Sequence, residues 1–232
     1  MDKLSQFLLL APALLFAMVA HEYAHGYVAL RQGDPTAYQL GRLTWNPLKH
    51  IDPFMTVILP ILTYFGSGGS FIFGGAKPVP VSPRNYRNYK RGDIIVSLAG
   101  IATNLVLAFV CGIFIVLFAL LGRALPAAAS TVEILQKMFV NGVIFNLVLA
   151  MFNLLPIPPL DGSHVMKYLL PPAWSLRYQQ FGMYGIVVLM IIMMTGIGRP
   201  ILNAWMTPVN VIGGAIFRGI SFVLSGQFAP GT

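Results

Sequence analysis

The chain has 232 residues, 56% of them hydrophobic and only 9% charged, and its mean hydropathy is +0.74. A soluble domain carries roughly 25% charged residues, so these values exclude one and indicate a single integral membrane domain over residues 1–232. The net charge of +8 would point to nucleic acid in a soluble protein. Here the basic residues cluster between apolar segments, which is a topology signal, and no nucleic-acid partner is expected. With Cys111 as the only cysteine, an internal disulfide and a thiolate metal site are both excluded.

The first apolar segment, residues 4–31, would be ~42 Å long as a helix, more than a ~30 Å hydrocarbon core requires. Residues 4–20 could pass for a signal peptide, but Met18 stands where a small residue is wanted and further long apolar segments follow, so the segment is read as retained. It contains His21-Glu22-Tyr23-Ala24-His25. Histidines four residues apart share one helix face, where two imidazoles can hold one Zn²⁺, and the glutamate between them is placed as general base beside a metal-bound water. An ionisable cluster within a membrane helix is costly and marks a functional site by default.

Gly33-Asp34-Pro35 ends this helix. Residues 32–52 read as loop or short strand, and residues 53–65 as an apolar segment too short for a comfortable span, either re-entrant or interfacial. The glycine-rich run 66–75 and the following residues 76–81 read as extended backbone making a close approach to something. A basic loop covers 77–91. Spans are then expected at 93–121 and 132–153, a rigid proline-rich turn at 156–162, a fourth span at 178–197, and a fifth apolar segment of open depth at 200–224. The expected fold is an all-α integral membrane protein: a polytopic bundle of five or six apolar segments with a small glycine-rich β or re-entrant element.

Residues 31–91 carry eight of the fifteen basic residues, which assigns that side to the cytoplasm. The second span then runs outward and the third returns. This brings the 156–162 turn, with Asp161, to the side where His25 lies. A catalytic zinc takes three protein ligands. The other acidic residues are Asp2, Asp34, Asp52, Asp93 and Glu133, and none of them sits in so constrained a turn, where Pro156, Pro158 and Pro159 stiffen the backbone and Gly162 frees it.

These residues resemble the site-2 protease family of intramembrane zinc metalloproteases. That family pairs H-E-x-x-H in one membrane helix with N-x-x-P-x-x-x-x-D-G at the end of another, here Asn153, Pro156, Asp161 and Gly162. Residues 41–60, Gly74-Gly75-Ala76-Lys77-Pro78-Val79-Pro80, and Ala99-Gly100 with Asn104 are similar too, so the likeness covers about residues 8–170. It implies hydrolysis of a peptide bond within or near a transmembrane segment of a membrane-protein substrate. Zinc would be held by His21, His25 and Asp161, with Glu22 activating water. Asn104, Asn153, Gly74 and Gly75 become candidates for substrate binding or for supporting the ligands. The chain looks like the compact form without a PDZ or CBS module, with a catalytic core at about 4–170 and accessory helices at about 178–224. Ile101 stands where the family commonly has proline.

The setting implied is the lipid bilayer of the cell (plasma or inner) membrane, with the active site near the cytoplasmic face. A metal-ion or proton transporter could use the same His, Glu and Asp cluster, but it gives no reason for a glutamate inside H-E-x-x-H. His164, three residues after Asp161, reads as a cap or headgroup-facing residue more than a ligand, and His50 as a structural loop residue. Asn141 and Asn146 read as helix-packing residues, and Glu133 with Lys137 as a surface pair.

Overall fold

The computed structural model describes residues 2–69, 72–182, 184–185, 188–189 and 198–225. Helix α1 spans Lys3–Gln32, capped by Asp2, whose carboxylate accepts from Ser5 N–H at 2.7 Å. It stops at Gly33, whose φ of 109° lies where side chains are strained. Asp34 follows, fully buried, and accepts from the Ser82 and Thr36 backbone N–H groups, the Thr36 hydroxyl and Asn85 Nδ2. Burial alone would raise its carboxyl; these four donors outweigh that and hold it below the ordinary carboxylate range. The end of α1 is thereby tied to the loop before the next long helix.

Residues 32–52 form no strand. They fold as α2 (Thr36–Gln39) and a 3₁₀ turn, Pro47–Lys49, because Asn46 Oδ1 and the following proline favour a tight turn. Pro53–Ile58 is π-helical and continues into α3 (Leu59–Gly66), which gives the short apolar helix expected there. Residues 72–82 then run without regular secondary structure. Their hydrogen bonds alternate. Phe73 N–H donates to Thr63 Oγ1, Gly75 N–H to the Met55 carbonyl, Lys77 N–H to the His50 carbonyl and Val79 N–H to Glu22 Oε2. Gly74 and Ala76 between them make no hydrogen bond among the described residues.

Helix α4 (Tyr89–Ala124) starts at Asn88, whose side chain accepts from Arg91 N–H. Helix α5 (Ala129–Asn153) runs back beside it after a 3₁₀ turn. Their main contact is a seam of Ala108, Cys111, Ile115, Val143 and Leu147, closed on the far side by Ile212, Ile216 and Ile220. Two short helices follow, α6 (Gly162–Met166) and α7 (Pro172–Gln180). The span expected at 178–197 lies largely outside the described residues. The segment expected at 200–224 is two helices, α8 (Gly198–Trp205) and α9 (Thr207–Leu224), parted at Met206, because Pro208 fits the first turn of a helix and not its interior. Helices α1, α4, α5 with its leading turn, and α9 are each long and apolar enough to cross a membrane, and no strand occurs among the described residues.

Candidate metal centre

Helical spacing puts His21 and His25 on the face of α1 that packs against α4 and α5, and both are buried. The turn after α5 brings Asp161 to the same point. His21 Nε2 lies 2.9 Å from His25 Nε2 and 3.0 Å from Asp161 Oδ2, and His25 Nε2 lies 3.2 Å from that oxygen. Among the described residues these three form the one cluster of His, Cys, Asp or Glu able to share a metal ion.

The remaining ring nitrogens fix what the cluster offers. His21 Nδ1 faces Asn104 Oδ1 at 2.6 Å, and His25 Nδ1 faces the Val96 carbonyl at 2.7 Å. Both partners are acceptors, so each Nδ1 carries the proton and each Nε2 presents a lone pair. Asn104 cannot be flipped without loss. Its Nδ2 donates to the Ala17 carbonyl and to Asn146 Oδ1, and Asn146 Nδ2 donates to the Gly142 carbonyl. Two imidazole lone pairs and a carboxylate therefore converge with no proton between them, an arrangement that a cation satisfies. Ligand atoms of a tetrahedral zinc with ~2.05 Å bonds lie ~3.3 Å apart, close to the spacing here, and one corner remains for water. The residues fit zinc.

Two glycines make the approach possible. A Cβ on Gly100 would stand 2.5 Å from His21 Cε1 and 2.6 Å from His25 Nε2; one on Gly162 would stand 2.1 Å from the Leu154 carbonyl oxygen. The turn that carries Asp161 is anchored to the start of α4. Asp93, almost fully buried, accepts from His164 Nδ1 and Tyr168 OH and pairs with Lys167 Nζ at 2.5 Å.

Glu22 lies between two cavities. One, about 210 Å³, is lined mainly by apolar groups including Met18, Met55, Phe73, Phe152 and Leu189, with Gly74, Gly75 and Asn153 on its wall. The other, about 220 Å³, is more polar and holds His25, Asp161, His164 and Asp93. Asn153 reaches both. Asn104 has no exposed surface, so it faces His21 and no cavity. His50 donates from Nε2 to the Thr44 carbonyl in its loop, and His164 turns to Asp93; neither joins the cluster. Asn146 is the residue that the sequence reading placed in helix packing and the structure ties to His21 through Asn104. Its signal was present: it lies seven residues before Asn153, on the same helix face.

The profile of peptidase family M50 matches residues 9–194. The chain belongs to this family, that of the site-2 proteases. It is 38% identical to YwhC of Bacillus subtilis over 88% of this chain and 90% of that one. It is 33% identical to Rip2 of Mycolicibacterium smegmatis over 86% and 70%, and 30% identical to MJ0611 of Methanocaldococcus jannaschii over 68% of each. All three relatives carry the name zinc metalloprotease. No solved structure matches the chain significantly. With four helices among the described residues fit to cross a bilayer, this M50 member is a membrane zinc metalloprotease.

Proposed function

We propose that this protein hydrolyses a peptide bond within or near a transmembrane segment of a membrane-protein substrate, as in regulated intramembrane proteolysis. The observation that carries the reading is that the His21, His25 and Asp161 donor atoms meet on a helix apolar enough to cross a bilayer, beside an apolar cavity. These three residues would hold the zinc, which would supply there the Lewis acidity that lets water act as a nucleophile near neutral pH. Glu22 takes the proton of the attacking water at its carboxylate and can hand it to the leaving amine. Asn104 holds the His21 ring, and Asn153, on the wall of both cavities with its Nδ2 bonded to the Leu149 carbonyl, offers its Oδ1 to the substrate backbone.

A membrane helix bonds its own backbone, so the scissile stretch must be unwound, and each polar group then left bare in the bilayer costs several kcal/mol. The 72–82 stretch supports a remedy. Phe73, Gly75 and Lys77 spend their N–H groups on the short helix and neighbouring loop, while those of Gly74 and Ala76 make no hydrogen bond among the described residues. In extended backbone those groups face the other way, toward the cavity beside Glu22, and Pro78 ends the edge because it has no N–H. An unwound substrate can add to that edge as a strand.

The test compares membrane proteomes of cells carrying wild-type enzyme and Glu22→Gln. Substrates should accumulate uncut in the variant, and the purified variant should keep zinc while cleavage falls at least ~10²-fold. Undiminished cleavage by Glu22→Gln overturns the proposal.

A further inference from the structure

Of the backbone N–H groups along the 72–82 stretch, that of Val79 alone donates to a residue of the H-E-x-x-H motif, at Glu22 Oε2, 2.7 Å away. We propose that the Val79 main-chain N–H is a positioning group for Glu22: it fixes one carboxylate oxygen so that Oε1 alone serves as the base toward the metal centre. The inference rests on the reading of Glu22 as base.

Three observations make this donor a built feature. Val79 lies between Pro78 and Pro80, so it supplies the one backbone N–H of that tripeptide. Its side chain is buried over Gly26, one turn beyond Glu22 on α1, where an added Cβ would stand 2.9 Å from Val79 Cγ1. The peptide before it is clamped from outside: Arg42 Nη2 donates to the Lys77 and Pro78 carbonyls at 3.0 and 3.2 Å, and Lys77 N–H donates to the His50 carbonyl at 2.8 Å. The donor is therefore stationary relative to α1. A free glutamate carboxylate rotates broadly about its last torsion, whereas a charge-assisted bond to a fixed N–H selects one orientation. No hydrogen bond to Oε1 occurs among the described residues, and Glu22 borders the cavity that holds His25 and Asp161. The proton of the attacking water goes to that oxygen, and Oε2 stays with Val79.

The decisive variant replaces Val79 with α-hydroxyvaline, which turns the N–H into an ester oxygen and keeps the side chain. Cleavage of a substrate that accumulates in Glu22→Gln cells is measured on the full-length enzyme in liposomes. A misplaced base costs about 10- to 100-fold. The expected result is a loss of that size in kcat, with KM and bound zinc unchanged. Val79→Ala keeps the N–H and trims the packing, so it should lower thermal stability more than the ester does, and kcat less. Wild-type kcat in the ester variant overturns the proposal, and so does a rise in kcat, which would make Val79 a restraint on the base. Should the ester variant lose zinc, Val79→Ala decides alone: a kcat loss as large as that of Glu22→Gln places the effect in the side chain and overturns it. Failure of the underlying reading shows separately, as full cleavage by Glu22→Gln.

Discussion

A single methyl group at position 100 would collide with both histidines of the centre, with its carbon 2.5 Å from one ring and 2.6 Å from the other. Nothing there is the far end of a flexible chain, since Asn104 and the Val96 carbonyl pin the two imidazoles. Gly100→Ala should therefore lower zinc content and cleavage together, each by at least ~10-fold, read by metal analysis of the purified protein. Asn146 acts at one remove. Asn146→Leu removes the acceptor that orients Asn104, and loss of such outer partners typically costs ~10–100-fold in metal affinity. A chelator competition against wild type measures it, and equal affinity would return Asn146 to a packing role. The H-E-x-x-H pair was legible in the sequence because helical spacing alone puts it on one face. Asn146 carried only the weaker signal of a helix face shared with Asn153, because an asparagine in an apolar helix looks the same whether it bonds a carbonyl or the partner of a ligand.

At the scale of elements, the question is what carries Asp161 to α1. The turn is held by α6 and by the buried group of Asp93, His164, Lys167 and Tyr168. Removing one partner of a buried pair costs ~3–5 kcal/mol. Asp93→Ala is therefore expected to lower the unfolding temperature and to speed zinc loss to a chelator, although Asp93 holds no metal. The glycine stretch makes a second prediction. A Cβ on Gly74 would meet Pro60 Cγ at 2.5 Å and the Met55 carbonyl at 2.8 Å, whereas at Gly75 the nearest atom is Met55 Cε at 3.9 Å. Gly74→Val should reduce cleavage with zinc retained, and Gly75→Ala should reduce it far less, as measured on liposome-reconstituted enzyme. The sequence showed that this stretch approaches something closely. The tertiary bonds that pass over Gly74 and Ala76 come from Thr63, Met55 and His50, which no local pattern links to it.

For the whole molecule, the depth of the centre decides where a substrate is cut. His21 lies about 26 Å along α1 from Leu4, so if Leu4 marks one edge of a ~30 Å core, the site lies near the opposite boundary. The aromatic stack on the outer face of α1 supports this depth. Trp45 stacks on Tyr23, inside the H-E-x-x-H motif, at 4.4 Å and remains half exposed, as interfacial aromatics do. With the basic loops on that side, cleavage should fall in the cytoplasmic third of a substrate helix, near Gly, Pro or Asn. Mass spectrometry of the cut ends checks this, and a cut in the outer half would overturn both depth and topology. Long apolar helices and their order were readable because composition alone marks them. The division of residues 198–225 into α8 and α9 turned on a single proline, and the fold of residues 32–52 on side-chain capping.

The account stands most directly on zinc stoichiometry in two variants of the purified protein, Glu22→Gln and Asp161→Ala. Base and ligand make opposite demands here. Glu22→Gln should retain about one zinc per chain, as wild type does, and Asp161→Ala should lose most of it at equal protein recovery. A full complement of zinc in Asp161→Ala, or its loss in Glu22→Gln, would contradict the assignment of the centre.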